Sequence, residues 1–192
     1  MKKLVFINAC IRKENSKTLC IAKALLESLK DRYIITEIDL TDKAILPITS
    51  DLFLERGQNG ISPNDRIIGQ TVASADRIVI AAPFWDMSFP SILKAFFEHI
   101  SFPDITFENN IDGTTKGICK CQKVLYVTTR GMNIPTDSYL DQGTPYIRAL
   151  CWLWGLGELL TVAAYGTDVN KGITEHLIND AIKEGLKLCE DF

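Results

Sequence analysis

Short, wholly apolar runs alternate with helix-period segments from end to end, and this alternation restricts the possible folds more than any other feature of the chain. Leu4–Ala9 lacks the polar alternation of a half-exposed strand and reads as a strand buried on both faces. Ser16–Asp31 places Leu19, Ala22, Leu26 and Leu29 at helical spacing. Tyr33–Leu40 is β-branched and alternating, a second strand, whereas Thr41–Gly60 contains Pro47, Gly57 and Gly60 and reads as irregular with a short helix. Pro63–Ala75 is helical again, and Arg77–Ala82 is an apolar strand ended by Pro83. Pro90 suits a helix start, since its missing N–H falls where no intrahelical partner exists, and that helix runs to about Ser101. Ser101–Gln122 has no strong periodicity and reads as an excursion over the surface. Val124–Thr129 is the fourth strand, Pro145–Gly155 a helix, Leu159–Tyr165 the fifth strand and Thr174–Glu190 the closing helix.

Five buried strands separated by helices imply an α/β architecture, a parallel sheet covered by helices on both faces. Right-handed crossovers make it doubly wound, with expected strand order 2-1-3-4-5. The 192 residues fit one domain, and no repeat, low-complexity tract or linker divides residues 1–192. Ligands of such sheets bind at the carboxyl ends of the strands, beside the point where strand order reverses. That selects the loops after Ala9, Ala82 and Thr129, which should converge on one crevice.

Composition removes several classes. A formal charge of −3 with scattered Lys and Arg argues against a protein that holds nucleic acid by neutralising phosphates. The most apolar stretches, Ile78–Phe84 and Ala149–Leu160, fall short of the roughly 20 residues of a spanning helix, so no membrane partner is expected. Met1-Lys2-Lys3 followed by Leu4-Val5-Phe6-Ile7 superficially resembles a signal peptide. The run stops at Asn8 with no cleavage site after it, so a buried strand in a cytoplasmic protein is the better reading. Six cysteines stand at 10, 20, 119, 121, 151 and 189. Cys119-Lys120-Cys121 is not a CxxC and lacks a second pair, so reduced thiols are expected; a redox-sensitive or adventitious metal pair is the alternative.

The first loop, Cys10 to Thr18, leads straight into a helix whose unpaired N–H groups attract anions, with Ser16 and Thr18 as hydroxyl donors, a plausible phosphate cradle. It carries no glycines and so is neither a Rossmann fingerprint nor a P-loop. Ser16 or Asn15 acting only as a helix cap explains the same residues. The second loop packs Phe84, Trp85, Met87 and Phe89 where the crevice should lie, which suits a planar, partly apolar ring such as isoalloxazine; a hydrophobic cap on the core or a dimer face is the alternative. In the third, Gly131 permits close backbone approach and Thr129 offers hydrogen bonds to the polar edge of a ring, unless the segment is a plain turn. His99 and His176 fall on helices away from these loops and read as surface or helix-end residues, so no catalytic acid or base is assigned. Trp152 and Trp154 read as core.

At these residues the chain resembles the flavodoxin-like FMN-dependent NADH azoreductase and NAD(P)H quinone reductase family. The resemblance rests on Cys10-Ile11-Arg12 with Ser16-Lys17-Thr18, on Pro83-Phe84-Trp85-Asp86-Met87 with Pro90, Leu93-Lys94 and Thr106-Phe107, and on Thr129-Arg130-Gly131-Met132. The segment from Tyr146 to Gly155 and the strand ending Tyr165-Gly166 follow the same plan. The resemblance implies bound FMN, its phosphate around Ser16, Lys17 and Thr18 and its ring on Pro83–Met87 and Thr129–Met132. It further implies NADH or NADPH as electron donor, a quinone or azo compound as small-molecule acceptor, and a homodimer to which Phe102, Phe107 and Ile147–Trp154 could contribute. Three positions depart from the family: Cys10 replaces a hydroxyl donor, Met132 a second glycine, and Asp86 an Asn that can donate as well as accept. Arg130 is the candidate for a 2′-phosphate contact because it lies beside the crevice. A non-enzymatic FMN electron carrier, or a chain of this fold with a degenerate flavin site, are the rival readings.

Overall fold

The structure is a computed structural model that describes residues 1–42 and 45–192. In chain order the elements are β1 (Lys2–Asn8), α1 (Lys17–Leu29), β2 (Tyr33–Asp39), α2 (Ser50–Asn59), α3 (Pro63–Ala73), β3 (Arg77–Ala81) and α4 (Ser91–Ile100). There follow β4 (Phe107–Asn109), β5 (Thr115–Gly117), β6 (Lys123–Thr129), α5 (Gly143–Trp154), β7 (Glu158–Ala164) and α6 (Thr174–Glu190). Five strands form a sheet in the order β2-β1-β3-β6-β7, parallel throughout. With β6 and β7 as the fourth and fifth long strands, this is the order 2-1-3-4-5 that the sequence implies.

The three central strands β1, β3 and β6 are buried along nearly their whole length because both faces of the sheet are covered there, whereas the edge strand β2 is largely exposed. Along β1, Val5 and Ile7 point into one core with Leu93, Phe96 and Phe97 of α4 and Ile147 and Trp154 of α5. Leu4 and Phe6 point into the other, with Leu19, Ile21 and Leu25 of α1 and Ala181 of α6. A side-chain period of two feeding two cores is the physical content of an unbroken apolar run. The helix starts follow their caps: Ser16 Oγ accepts from Leu19 N–H at α1, Thr49 Oγ1 from Leu52 N–H at α2 and Ser62 Oγ from Asp65 N–H at α3. No helix of the described residues is long and apolar enough to cross a membrane.

Two local expectations are corrected and one is met. The stretch expected to be featureless, Ser101–Gln122, contains the antiparallel pair β4–β5, too short to reveal a period and shaped by its turn, where Asp112 Oδ1 accepts from the Thr114 N–H at 2.9 Å. Thr41–Gly60 carries the short helix expected there, the ten-residue α2; residues 43 and 44 of that stretch lie outside the described residues. Trp152, expected in the core, is 74% exposed, whereas Trp154 is buried. One turn of a helix separates residues 3.6 apart, so neighbours two apart cannot share a face.

The β4–β5 pair is seated against the end of α5. A Cβ on Gly117 would lie 1.9 Å from the main-chain nitrogen of Gly155, so backbone packs on backbone there. Gly117→Ala is therefore expected to cost about 1–3 kcal/mol, read in urea unfolding as a lower midpoint at unchanged slope.

Candidate functional site

Because β1, β3 and β6 are neighbours, the loops leaving their carboxyl ends meet. They enclose a cleft of two lobes. The smaller, about 100 Å³, has Arg12, Ser16, Lys17 and Thr18 on one wall and Pro83, Phe84, Trp85, Thr129 and Gly131 opposite. The larger, about 300 Å³, shares Phe84 and Gly131 and adds Asp86, Met87 and Met132. Thr167 and Asp168, from the loop after β7, line the smaller lobe, and Asp168 and Val169 the larger.

Of the residues that the three loops offered for a ligand, Cys10, Arg130 and Phe89 do not line this cleft and the rest do; Phe89 is buried in the core against Phe97 and Tyr146. Cys10 is buried in the core beside α1, its thiol near the Ala81 carbonyl at 3.6 Å, and burial pushes that thiol up to about 11. It fills space and offers nothing to the cleft. Ser16 caps α1, yet its O–H hydrogen is not consumed by accepting from Leu19, so cap and donor are compatible roles. The N–H groups of Lys17 and Thr18 belong to the first turn, which has no intrahelical acceptors for them. Thr18 and Thr129 share a hydrogen bond of 2.6 Å between their hydroxyls, and whichever accepts keeps its own hydrogen to donate. Lys17 Nζ donates to Asp168 Oδ1 at 2.8 Å and to the Thr167 carbonyl at 3.1 Å.

The second loop is a two-residue hairpin. Trp85 and Ser88 exchange main-chain hydrogen bonds of 3.0 and 2.8 Å across Asp86 and Met87, both left-handed with φ of 46° and 65°. This is the backbone of a tight turn that Asn-Gly sequences favour. Asp tolerates it through its short polar side chain; Met does so only under strain of about 1–2 kcal/mol. The surroundings hold it there. Phe84 N–H donates to the Thr129 carbonyl at 3.0 Å, and Gln142 N–H donates to the Met87 carbonyl at 2.8 Å. The main chain at Asp86 is thereby presented to the larger lobe with Trp85 half-exposed beside it.

Arg130 corrects an expectation. Its side chain is entirely buried and points away from the cleft, so its guanidinium cannot serve as a surface contact for a 2′-phosphate. Its terminal nitrogens donate to Asp141 Oδ2 at 2.9 Å, to Thr144 Oγ1 at 3.3 Å and to the carbonyls of Ile134 and Pro135 at 3.1 and 3.2 Å. Its Cζ lies 4.3 Å from the centroid of the Phe84 ring, over the ring face. Asp141, also fully buried, receives the N–H groups of Asp137, Gly143 and Thr144 at 2.9 to 3.1 Å and so starts α5 two residues before the Pro145 expected to begin it. Burial alone would raise the Asp141 carboxyl, but Arg130, Thr144 and the main-chain donors outweigh it and hold it below the usual carboxylate range. Sequence reasoning missed Asp141, Thr167 and Asp168. An Asp shortly before Gly143-Thr144-Pro145 is a helix-start signal that would have found the first. The others stand after the last strand, a loop the search for the crevice left out.

The remaining candidates lie elsewhere. His176 is exposed on α6, and His99 ends α4 with Nδ1 3.0 Å from Asp65 Oδ2 and Arg56 beside it, next to a separate apolar cavity of about 400 Å³ between β2, α3 and α4. That cavity is larger than either lobe but lies away from the loops that converge. Cys119 and Cys121 are directed at different carbonyls, of Thr106 and Lys123, and burial pushes both thiols up to about 12, which disfavours the thiolate that redox or metal chemistry needs.

The profile of the flavodoxin-like fold family matches residues 2–187. Among curated proteins, the chain is 30% identical over 201 residues to an FMN-dependent NADH:quinone oxidoreductase of Clostridium beijerinckii and 29% identical over 203 residues to one of Clostridium perfringens, covering 100% of each pair. Among solved structures, an azoreductase of Bacillus anthracis superposes with a TM-score of 0.84 at 19% identity over 100% of both chains. An FMN-dependent NADH-azoreductase of the same species in complex with FMN gives 0.80 at 22% identity, over 98% of this chain and 100% of that one. At these identities the structures show the shared fold.

Two outcomes test the geometry. Breaking the buried pair with Arg130→Met or Asp141→Asn should each cost about 3–5 kcal/mol, whereas Arg130→Met/Asp141→Leu together should cost less than either, read from urea midpoints. Since the carboxyl of Asp141 is lowered on folding, the stability it adds is present above the ordinary carboxylate value of about 4 and drains away as pH falls through the lowered one; Asp141→Asn should flatten the acid limb of the stability curve. At the strained hairpin, Met87→Gly should raise stability by about 0.5–1 kcal/mol, relief of strain exceeding the added freedom of the unfolded chain, and would show as a higher melting temperature.

Proposed function

The chain belongs to the flavodoxin-like fold family, and from that premise we propose that it is an FMN-dependent NAD(P)H oxidoreductase acting on quinones or azo compounds. The observation that carries the reading is the two-ended character of the cleft. One end offers an open helix start, hydroxyls and the cations Arg12 and Lys17; the other is walled by Phe84, Trp85, Met87 and Met132 around main chain at Asp86 and Gly131. A molecule with a phosphate at one end and a planar, partly apolar ring at the other satisfies both. The donor set therefore fits FMN, and the names of the Clostridium relatives give the same cofactor and NADH as donor.

The chemistry that FMN supplies when bound is two-electron transfer from NADH or NADPH to the acceptor. The protein's part is to bind, orient and leave access. Ser16, Lys17, Thr18 and Arg12 would hold the phosphate, with Thr129 next to them through the Thr18 hydroxyl. Pro83–Met87 and Thr129–Met132 would hold the ring, Phe84 being kept in place by the Arg130 guanidinium beneath it and Trp85 by the hairpin. Trp85 and Met132, 43% and 47% exposed, border the open side, where donor and acceptor would bind in turn. No side chain is assigned as acid or base. The reading takes residues 1–192 as one domain working in the cytoplasm as a homodimer, with exposed Trp152 and Tyr139 as candidates for the dimer face.

Protein reconstituted with FMN and desalted should keep a visible flavin spectrum that bleaches when NADH is added without oxygen, and recovers on adding a quinone. Flavin that stays oxidised with both NADH and NADPH would overturn the oxidoreductase and leave an electron carrier. Failure to retain flavin would overturn the cofactor assignment. Light scattering of the same sample at micromolar concentration should give twice the chain mass.

A further inference from the structure

The smaller lobe carries two cations and one carboxylate, so only one of its positive charges is left uncompensated. Of its two cations, Lys17 is committed to a carboxylate of the chain itself: its Nζ lies 2.8 Å from Asp168 Oδ1 and donates also to the Thr167 carbonyl at 3.1 Å. Both partners line the cleft with Arg12, Ser16 and Thr18. Asp168 is fixed there from more than one side. Its main-chain N–H donates to the Gly131 carbonyl at 3.1 Å, and Asp168 Oδ2 lies so close over Gly131 that a Cβ at that position would sit 2.4 Å from it. The absence of a side chain at 131 thus makes room for this carboxylate.

We propose that Asp168 is the chain's own stand-in for a ligand phosphate, and that it sets the affinity of the cradle for phosphorylated over unphosphorylated flavins. The proposal rests on the FMN reading above and deepens it. A phosphate arriving at the first turn of α1 needs the Lys17 ammonium, which must loosen its hold on Asp168, and it brings a second anion next to the carboxylate. Arg12 from the first loop and Lys171 from the loop after β7 add to Lys17 in favouring the ionised carboxyl, which is held below the usual range mainly by the Lys17 hydrogen bond. The carboxylate therefore stays charged at neutral pH and opposes every phosphate that binds. A flavin without a phosphate never asks Lys17 to change partners and should not sense Asp168 through this route.

The test is the dissociation constant of FMN and of riboflavin for the apoprotein, by quenching of flavin fluorescence, in the wild type, Asp168→Asn, Lys17→Gln and the double variant. Asp168→Asn is expected to tighten FMN roughly three- to tenfold and to leave riboflavin unchanged, with most of the gain lost in the Lys17→Gln background. An unchanged or weaker FMN affinity in Asp168→Asn, at an unaltered melting temperature, overturns the proposal and leaves the FMN reading intact. Equal tightening of FMN and riboflavin also overturns it, since the effect would then not act through the phosphate. If the wild type binds no FMN the cofactor reading fails; binding by Asp168→Asn alone would then support the proposal, and binding by neither would overturn both.

Discussion

A guanidinium with no access to water must find acceptors among its own chain, and the two terminal nitrogens of Arg130 find them in the segment that follows it. Its partners at Ile134, Pro135, Asp141 and Thr144 span the connection from β6 to α5, which has no regular structure of its own. Asp141 answers with one oxygen on the guanidinium and Asp137, and the other on the first N–H groups of α5. A pair this deeply buried does not stabilise much against an apolar substitute, because desolvation consumes most of the attraction. It dictates conformation instead: with either partner misplaced the other is an uncompensated charge, so the connection has one acceptable arrangement.

That arrangement reaches the cleft by three routes. Arg130 N–H donates to the Ala164 carbonyl and its own carbonyl accepts from Thr167 N–H, which draws the loop after β7 alongside. Gln142, at the start of α5, donates to the Met87 carbonyl and braces the strained hairpin from behind. The guanidinium lies over the face of the Phe84 ring. The left-handed Met87 is tolerable because these contacts over-determine the turn. Strain held at a wall of the cleft positions main chain where an ordinary turn would not put it.

Charge is distributed unevenly over the same cleft. Arg12 and Lys17 gather at the helix start, Asp168 borders both lobes, and Asp86 flanks the larger one, which no basic side chain of the described residues lines. Such a lobe favours a neutral polar ring edge over an anionic one. On the proposed FMN reading, the two ends of the cleft make different electrostatic demands on one ligand, and a small number of side chains suffices to fix its direction.

Local pattern sufficed for the frame. The apolar runs, the Ser16 cap and the Pro83 and Pro90 breaks determine where strands and helices lie, because side-chain period and capping act over a few residues. Handedness of the crossovers then orders the strands and names the three loops that meet. Short-range signals could not show the β4–β5 pair, whose strands are shorter than a readable period; the helix period does separate Trp152 from Trp154, but only packing decides which of the two faces the core. Nor could short-range signals say where charged side chains point. Arg130 looked like a crevice residue and is buried because its acceptors, up to fourteen residues downstream, exist only once α5 has folded back. Asp168 carried no signal and meets Lys17 across 151 residues of chain. Which residues line up was written locally; which of them pair across the cleft was decided by tertiary contact, since Coulomb and hydrogen-bond partners are chosen by distance in space and not along the chain.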